Sequence, residues 1–126
     1  MRRVEYLISF FLVMGLMLVC AKPAVAQDPV VVNSKMVRLK LENDRLRVFE
    51  ATLQPGDKEQ PHSHPAYVTY VLTGGKVRIH LAEGATRETV LAPGDVLYSE
   101  PVTHWAENIG TTELRFVLVE VKTEKR

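Results

Sequence analysis

The sequence predicts an all-β domain, a sandwich or barrel of short strands, behind a removable leader. Three observations carry this. Apolar and polar residues alternate in short runs. Glycine and proline interrupt those runs at regular spacing. Outside the leader, no window holds a helical period for more than about two turns.

The leader comes first. Arg2 and Arg3 form a positive n-region, residues 7–19 are a nearly unbroken apolar run, and Ala24-Val25-Ala26 is a small-x-small cleavage signature. Residues 1–26 therefore read as a secretory signal peptide, with Gln27 as the mature N-terminus and a secreted or periplasmic destination. The apolar run is shorter than the about 20 residues that a bilayer requires. The alternatives are an uncleaved anchor and a lipid anchor on Cys20, although Val19 stands where lipoprotein signals carry a small residue.

Cleavage leaves 13 basic and 14 acidic residues, a net charge of about −1 against +1 for the full chain. That balance provides no electrostatic footprint for nucleic acid or anionic lipid, so neither partner is expected, and no membrane association in the mature form. Cys20, the only cysteine, leaves with the leader, so the mature domain is held by its core alone. Its length of about 100 residues suits one core.

Residues 27–35 form a lead-in, read as a loose tail or an extra edge strand, and the barrel domain covers 36–126. Val37, Leu39 and Leu41 alternate with Arg38, Lys40 and Glu42, and Leu46, Val48 and Glu50 with Arg47, Phe49 and Ala51. After a break at Pro55-Gly56-Asp57, residues 66–72 are rich in β-branched and aromatic side chains. Thr73-Gly74-Gly75 turns the chain into Val77, Ile79 and Leu81, and Glu83-Gly84-Ala85 leads to a short strand at 89–91. Pro93-Gly94-Asp95 precedes strands at 96–99, 103–107 and 113–122, the last two separated by Asn108-Ile109-Gly110. Gly56, Gly74, Gly75 and Gly94 are expected to serve turns with positive φ.

His62 and His64 lie two apart on an extended segment, so their side chains point the same way. Two parallel imidazoles are half of a transition-metal site. His104 supplies a third if the chain folds back, and the alternative is an unliganded pair at a strand start. His80 shares a face with Arg78 and reads as a solvated strand histidine. Trp105, next to His104, should point away from any metal, and Glu107 has the wrong parity to face it. Asn108 reads as structural, capping its turn.

The spacing Gly56, His62-Ser63-His64, Gly75, followed by His104 and Asn108, resembles the two motifs of the cupin superfamily. The H-S-H-P and H-W-x-E-N-x-G patterns and the Val-Glu-Val-Lys ending are similar to those of small bacterial single-domain cupins. The resemblance implies a double-stranded β-helix, or jelly-roll, barrel, with His62, His64 and His104 as ligands of a divalent transition metal. It does not separate iron, nickel, copper, zinc and manganese. The family's usual fourth ligand is a glutamate, at a position held here by Val68. By strand parity with the histidines, Val68 and Tyr70 are expected to line the pocket, Tyr70 alternatively being a core residue.

A three-histidine set resembles those of cysteine dioxygenase and a diketone-cleaving enzyme, which hold ferrous iron. The functional expectation is therefore a metal-dependent, dioxygenase-like enzyme acting on a small organic substrate. The alternative is a non-catalytic module that binds a small ligand. Cupins commonly pair through edge strands, so a homodimer is expected, with the apolar 30–32 segment as its contact.

The leader generates the first prediction. Intact mass of protein from its source should correspond to a chain starting at Gln27. A chain starting at Met1, or at a lipid-bearing Cys20, would contradict cleavage after Ala26.

Overall fold

The computed structural model describes residues 27–123, so the leader lies outside the described residues. A helical turn, α1 (Pro29–Val32), precedes nine strands: β1 (Val37–Glu42), β2 (Leu46–Leu53), β3 (His62–His64), β4 (Tyr67–Thr73), β5 (Gly75–Leu81), β6 (Thr86–Leu91), β7 (Val96–Ser99), β8 (Val102–Asn108) and β9 (Leu114–Val121). They form two antiparallel sheets, ordered β1-β2-β9-β4-β7 and β3-β8-β5-β6. The chain crosses repeatedly from one sheet to the other, as the double-stranded β-helix expectation requires, and the all-β prediction holds.

The core lies between the sheets. On β2, Phe49, Ala51 and Leu53 point inwards, and on the paired β9 so do Leu114, Phe116 and Leu118. Tyr67 and Val71 from β4 and Val77 and Ala106 from the opposite sheet close the cluster. The inward row of β9 ends on a charged residue, Glu120, which is only 3% exposed. That exception places a carboxylate at one end of the core.

Some expectations needed correction. Residues 29–32 are helical, neither a loose tail nor an edge strand. Asp28 caps the turn, its Oδ1 accepting from the Val30 amide at 2.9 Å, and Pro29 sits at the first helical position. These local signals, with Pro29 buried, override the β preference of three successive valines. Val30 packs on the core, leaving only Val31 strongly exposed, so the 30–32 segment offers no edge for a partner. In β1, a bulge between Leu39 and Leu41 turns Leu41 onto the outer face opposite Val48. Gly56 and Gly94 do adopt positive φ, 87° each, but Gly74 does not. It is needed for a close approach instead, because a Cβ there would lie 2.0 Å from the Leu91 carbonyl oxygen.

Asn108 performs the structural role expected of it. It is 1% exposed; its Nδ2 donates to the carbonyls of Leu53 and Thr112, and its Oδ1 accepts from the Gly110 amide. These bonds tie the β8–β9 turn to the end of β2.

The five-stranded sheet leaves an apolar row on its outer face. In successive pairs, Leu41 lies against Val48, Val48 against Val119, Val119 against Val68, and Val68 against Tyr98. Tyr70 joins Val117 and Val96 in the adjacent row.

Candidate metal centre

The short strand β3 pairs with β8 so that His62 lies directly opposite His104 and His64 opposite Val102. One register thus unites residues far apart in the chain. All three imidazoles are buried and each offers a nitrogen within 4.8 Å of the other two. Ring centroids are 4.7 to 5.1 Å apart and the ring planes nearly perpendicular to one another, at 87°, 79° and 90°. The rings converge on a cavity of about 710 Å³ between the sheets. Its walls include Phe116, Leu118, Val77 and Ile79. A second concavity, lined by Lys35, Arg38, Lys40 and Arg115, is a surface feature away from the histidines.

Each of the first two rings is held through Nδ1. His62 Nδ1 donates to the Gln60 carbonyl at 2.8 Å. The Gln60 backbone is itself clamped by buried Asn33, whose Oδ1 accepts from the Gln60 amide at 2.6 Å and whose Nδ2 donates to its carbonyl at 3.2 Å. His64 Nδ1 donates to Glu120 Oε1 at 2.9 Å. Glu120 Oε2 lies 3.7 Å from Arg47, which also holds Asp28 at 3.1 Å. A proton fixed on Nδ1 leaves the Nε2 lone pair free, and a carboxylate behind the ring makes it a stronger donor. Phe49 and Tyr67 flank the His64 ring, with centroids 5.8 and 4.4 Å away.

Burial also sets protonation. It pushes His62 down to about 4, with the His64 charge adding to the shift against the Gln60 hydrogen bond. Burial pushes His104 down to about 3, reinforced by His64 and His62. Both rings are neutral at physiological pH and able to bind a metal. Burial raises Glu59 to about 7 despite its hydrogen bond from the Ala106 amide. Glu59 Oε2 stands 3.8 Å from His62 Nε2.

The structure brings together the three histidines singled out in the sequence and sets two other residues apart from them. Val68 and Tyr70 do not line the cavity; Tyr67 and Thr69 do. Tyr70 is 45% exposed. The parity argument failed because β3 and β4 belong to different sheets, and the bend at Pro65-Ala66 between them breaks the alternation. His80 lies on the outer face, stacked on Trp105 at 5.2 Å and bonded to Glu107 at 2.9 Å. Trp105 and Glu107 point away from the histidines, as expected, although His80 is more enclosed than a solvated residue. Sequence reasoning missed Asn33, Arg47, Glu59, Tyr67, Thr69 and Glu120. For Glu120 a signal existed: a charge at the inward parity of Leu114, Phe116 and Leu118.

The comparisons with known proteins agree with this architecture. A family model described as a cupin domain matches residues 49–120. A cupin domain from Bordetella pertussis Tohama I is 29% identical, with 70% of this chain and 93% of that one covered and a TM-score of 0.64. A conserved protein with a double-stranded β-helix domain from Klebsiella pneumoniae is 27% identical over 66% of this chain and 72% of that one, with a TM-score of 0.56. A predicted oxalate decarboxylase from Thermotoga maritima, 23% identical over 69% and 79%, shares the fold with a TM-score of 0.53. No curated protein matches the chain.

The protonation states generate a pH prediction for the metal-free protein. His62 and His104 titrate lower folded than unfolded, so the unfolded chain binds more protons and stability falls as pH drops from about 6.5. Glu59 titrates higher folded than unfolded, so its contribution is lost as pH rises from about 4.5 through about 7. Two imidazoles outweigh one carboxyl. Stability should rise between about pH 5 and 7, more steeply in Glu59→Gln. Urea midpoints in chelator at pH 5, 6 and 7 measure this; a flat or falling trend contradicts it.

Proposed function

This chain belongs to the cupin family, and from that premise we propose that it is an exported cupin holding a divalent transition metal through His62, His64 and His104. The observation that carries the reading is the convergence of three buried imidazole nitrogens within 4.8 Å. The donor set suits such an ion. The rings of His62 and His104 are kept neutral by burial, and the Nδ1 protons of His62 and His64 are committed to a carbonyl and a carboxylate. The metal would supply Lewis acidity and open coordination positions for dioxygen or a chelating substrate.

The chain's own residues do the rest. Glu120 and Gln60 orient the rings, and Phe49 and Tyr67 pack against His64. The apolar walls accept the carbon body of a small molecule and exclude water around it. Among the described residues, Arg87 is the one Lys or Arg lining the cavity, so it suits a carboxylate on the ligand. We read the substrate as a small organic acid or diketone, and the reaction as oxygen-dependent. A binding module that catalyses nothing is the second reading, favoured by the mostly apolar lining. Oxygen uptake by the iron-loaded protein with such compounds separates the two.

For the homodimer, we assign the outer face of the five-stranded sheet rather than the 30–32 segment. Its apolar row crosses five strands, a span of about 19 Å, and carries no charge to oppose a second copy of itself. Tyr98 and Val96 are 64% and 65% exposed there. Sedimentation should show a dimer for the wild type and a monomer for Val96→Lys, whose side chain is outside the cavity. A wild-type monomer at about 100 µM, or an unaffected variant, contradicts the assignment.

Metal titration tests the principal reading. His62→Ala, His64→Ala and His104→Ala should each weaken binding at least about 100-fold, or about 2.7 kcal/mol. His80→Ala and Val68→Glu, both altering the outer faces, should leave it unchanged. If calorimetry detects no binding of iron, zinc, nickel, copper or manganese tighter than about 100 µM, about −5.5 kcal/mol, the metal reading is wrong.

A further inference from the structure

The cavity that holds the histidines opens at one side. β6 and β7 are the end strands of their sheets and are not bonded to each other. Burial across the four-stranded sheet marks the opening. Val77 on β5 and its partner Thr89 on β6 both line the cavity, yet Val77 is 1% exposed and Thr89 is open to solvent. Across the gap, Leu97 of β7 is 41% exposed. Arg87, Thr89 and Leu97 therefore form the mouth.

Arg87 is paired with Ile79 and shares its inward face, where the other strands carry mostly apolar residues. Arg47, Arg78 and Arg115 each meet a carboxylate within 4.0 Å. Among the described residues, no carboxylate lies that close to Arg87. Its neighbour Glu88 points outwards to Arg78 and Lys76. The cavity's own glutamates, Glu59 and Glu100, stand beyond the same limit. The register fixes how far this cation is from the histidines. His104 lies opposite Leu81 on β5, and Arg87 lies opposite Ile79, one inward position further along. Arg87 is thus two strands and two residues from His104, about 12 Å between Cα atoms. A carboxylate held at the mouth stands clear of the imidazoles. Once the reach of both side chains and a contact at each end are taken off, about 5 Å remain for the body of the ligand. Leu81 and Ile79 floor that stretch, so the body is apolar.

We propose that Arg87 determines specificity in this cavity, and that its ligand is a monocarboxylic acid with an apolar body of about five to eight carbons. The carboxylate lies on Arg87 at the mouth, and the far end of the body lies at the histidines. The proposal rests on the reading of this cavity as a site for small organic acids, and narrows it. Oxalate and acetate are too short to reach both ends. One arginine beside one threonine hydroxyl suits the single charge of a carboxylate.

Calorimetric titration of the metal-free protein with hexanoate, acetate and hexanamide tests it in wild type, Arg87→Gln and Arg78→Gln. Wild type should bind hexanoate at least about 10-fold more tightly than acetate, which lacks the body, and than hexanamide, which lacks the charge. Arg87→Gln should bring hexanoate to within about 3-fold of hexanamide and leave hexanamide unchanged. Arg78→Gln removes the same charge from the outer face and should alter neither. Arg87 is exposed on an end strand, so its replacement leaves the core intact. Equal binding of hexanoate and hexanamide by wild type would overturn the proposal. So would an Arg87→Gln variant that keeps wild-type affinity but self-associates, since Arg87 would then serve only to keep the β6 edge from pairing. If hexanoate binds neither metal-free nor Zn²⁺-loaded wild type more tightly than about 10 mM, about −2.7 kcal/mol, the proposal is wrong. Failure of the metal titrations would overturn the three-histidine reading and leave the Arg87 result standing, because the carboxylate is read in metal-free protein.

Discussion

The pairing of β3 with β8 is the contact on which the rest depends. β3 is three residues long and could not persist alone. Its register against β8 puts His62 across from His104, and alternation then brings His64 to the same interior. A slip of one residue would send both β3 histidines to the outer face. The register is therefore guarded from several directions. Asn33 clamps Gln60, Glu59 pairs with Ala106, and the Ser63 amide donates to the Gln27 carbonyl at 2.9 Å.

These supports show why the lead-in is part of the domain. Through Asn33 it fixes the carbonyl that orients His62. Through Asp28 it holds Arg47, which in turn faces the carboxylate behind His64. The histidine cluster is thus backed by segments from the start, middle and end of the described chain. Three imidazoles in an apolar cavity have little internal electrostatic cohesion. The carboxylates at one end of the core give the cluster its polarity and prepare it for a cation.

Much of this was legible in the sequence, for identifiable reasons. Strand periodicity marked 37–42, 46–51 and 113–122 as strands, because a two-residue period needs no knowledge of partners, but it left open that Phe49 and Ala51, not Leu46 and Val48, face the core. The histidine pair was legible for the same reason, and His104 through motif spacing. Parity failed where the chain left one sheet for the other: Val68 and Tyr70 are outside because the bend after His64 resets the alternation. Glu59 and Asn33 were invisible because both lie outside the β-strands, where position follows from tertiary hydrogen bonds and not from a repeat. The helix at Pro29–Val32 was hidden by its valines, although Asp28 and Pro29 carried a capping signal. The bulge in β1 left no trace in the pattern at all.

The central claim is that the buried histidine cluster exists to hold a metal ion. Elemental analysis of the protein purified from its own compartment, with no metal added and no metal-affinity step, tests this most directly. The account predicts about one transition-metal ion per folded chain, lost when His104 is replaced by alanine. Folded wild-type protein carrying no metal, with the same melting temperature after incubation with iron, zinc, nickel, copper or manganese, would contradict it.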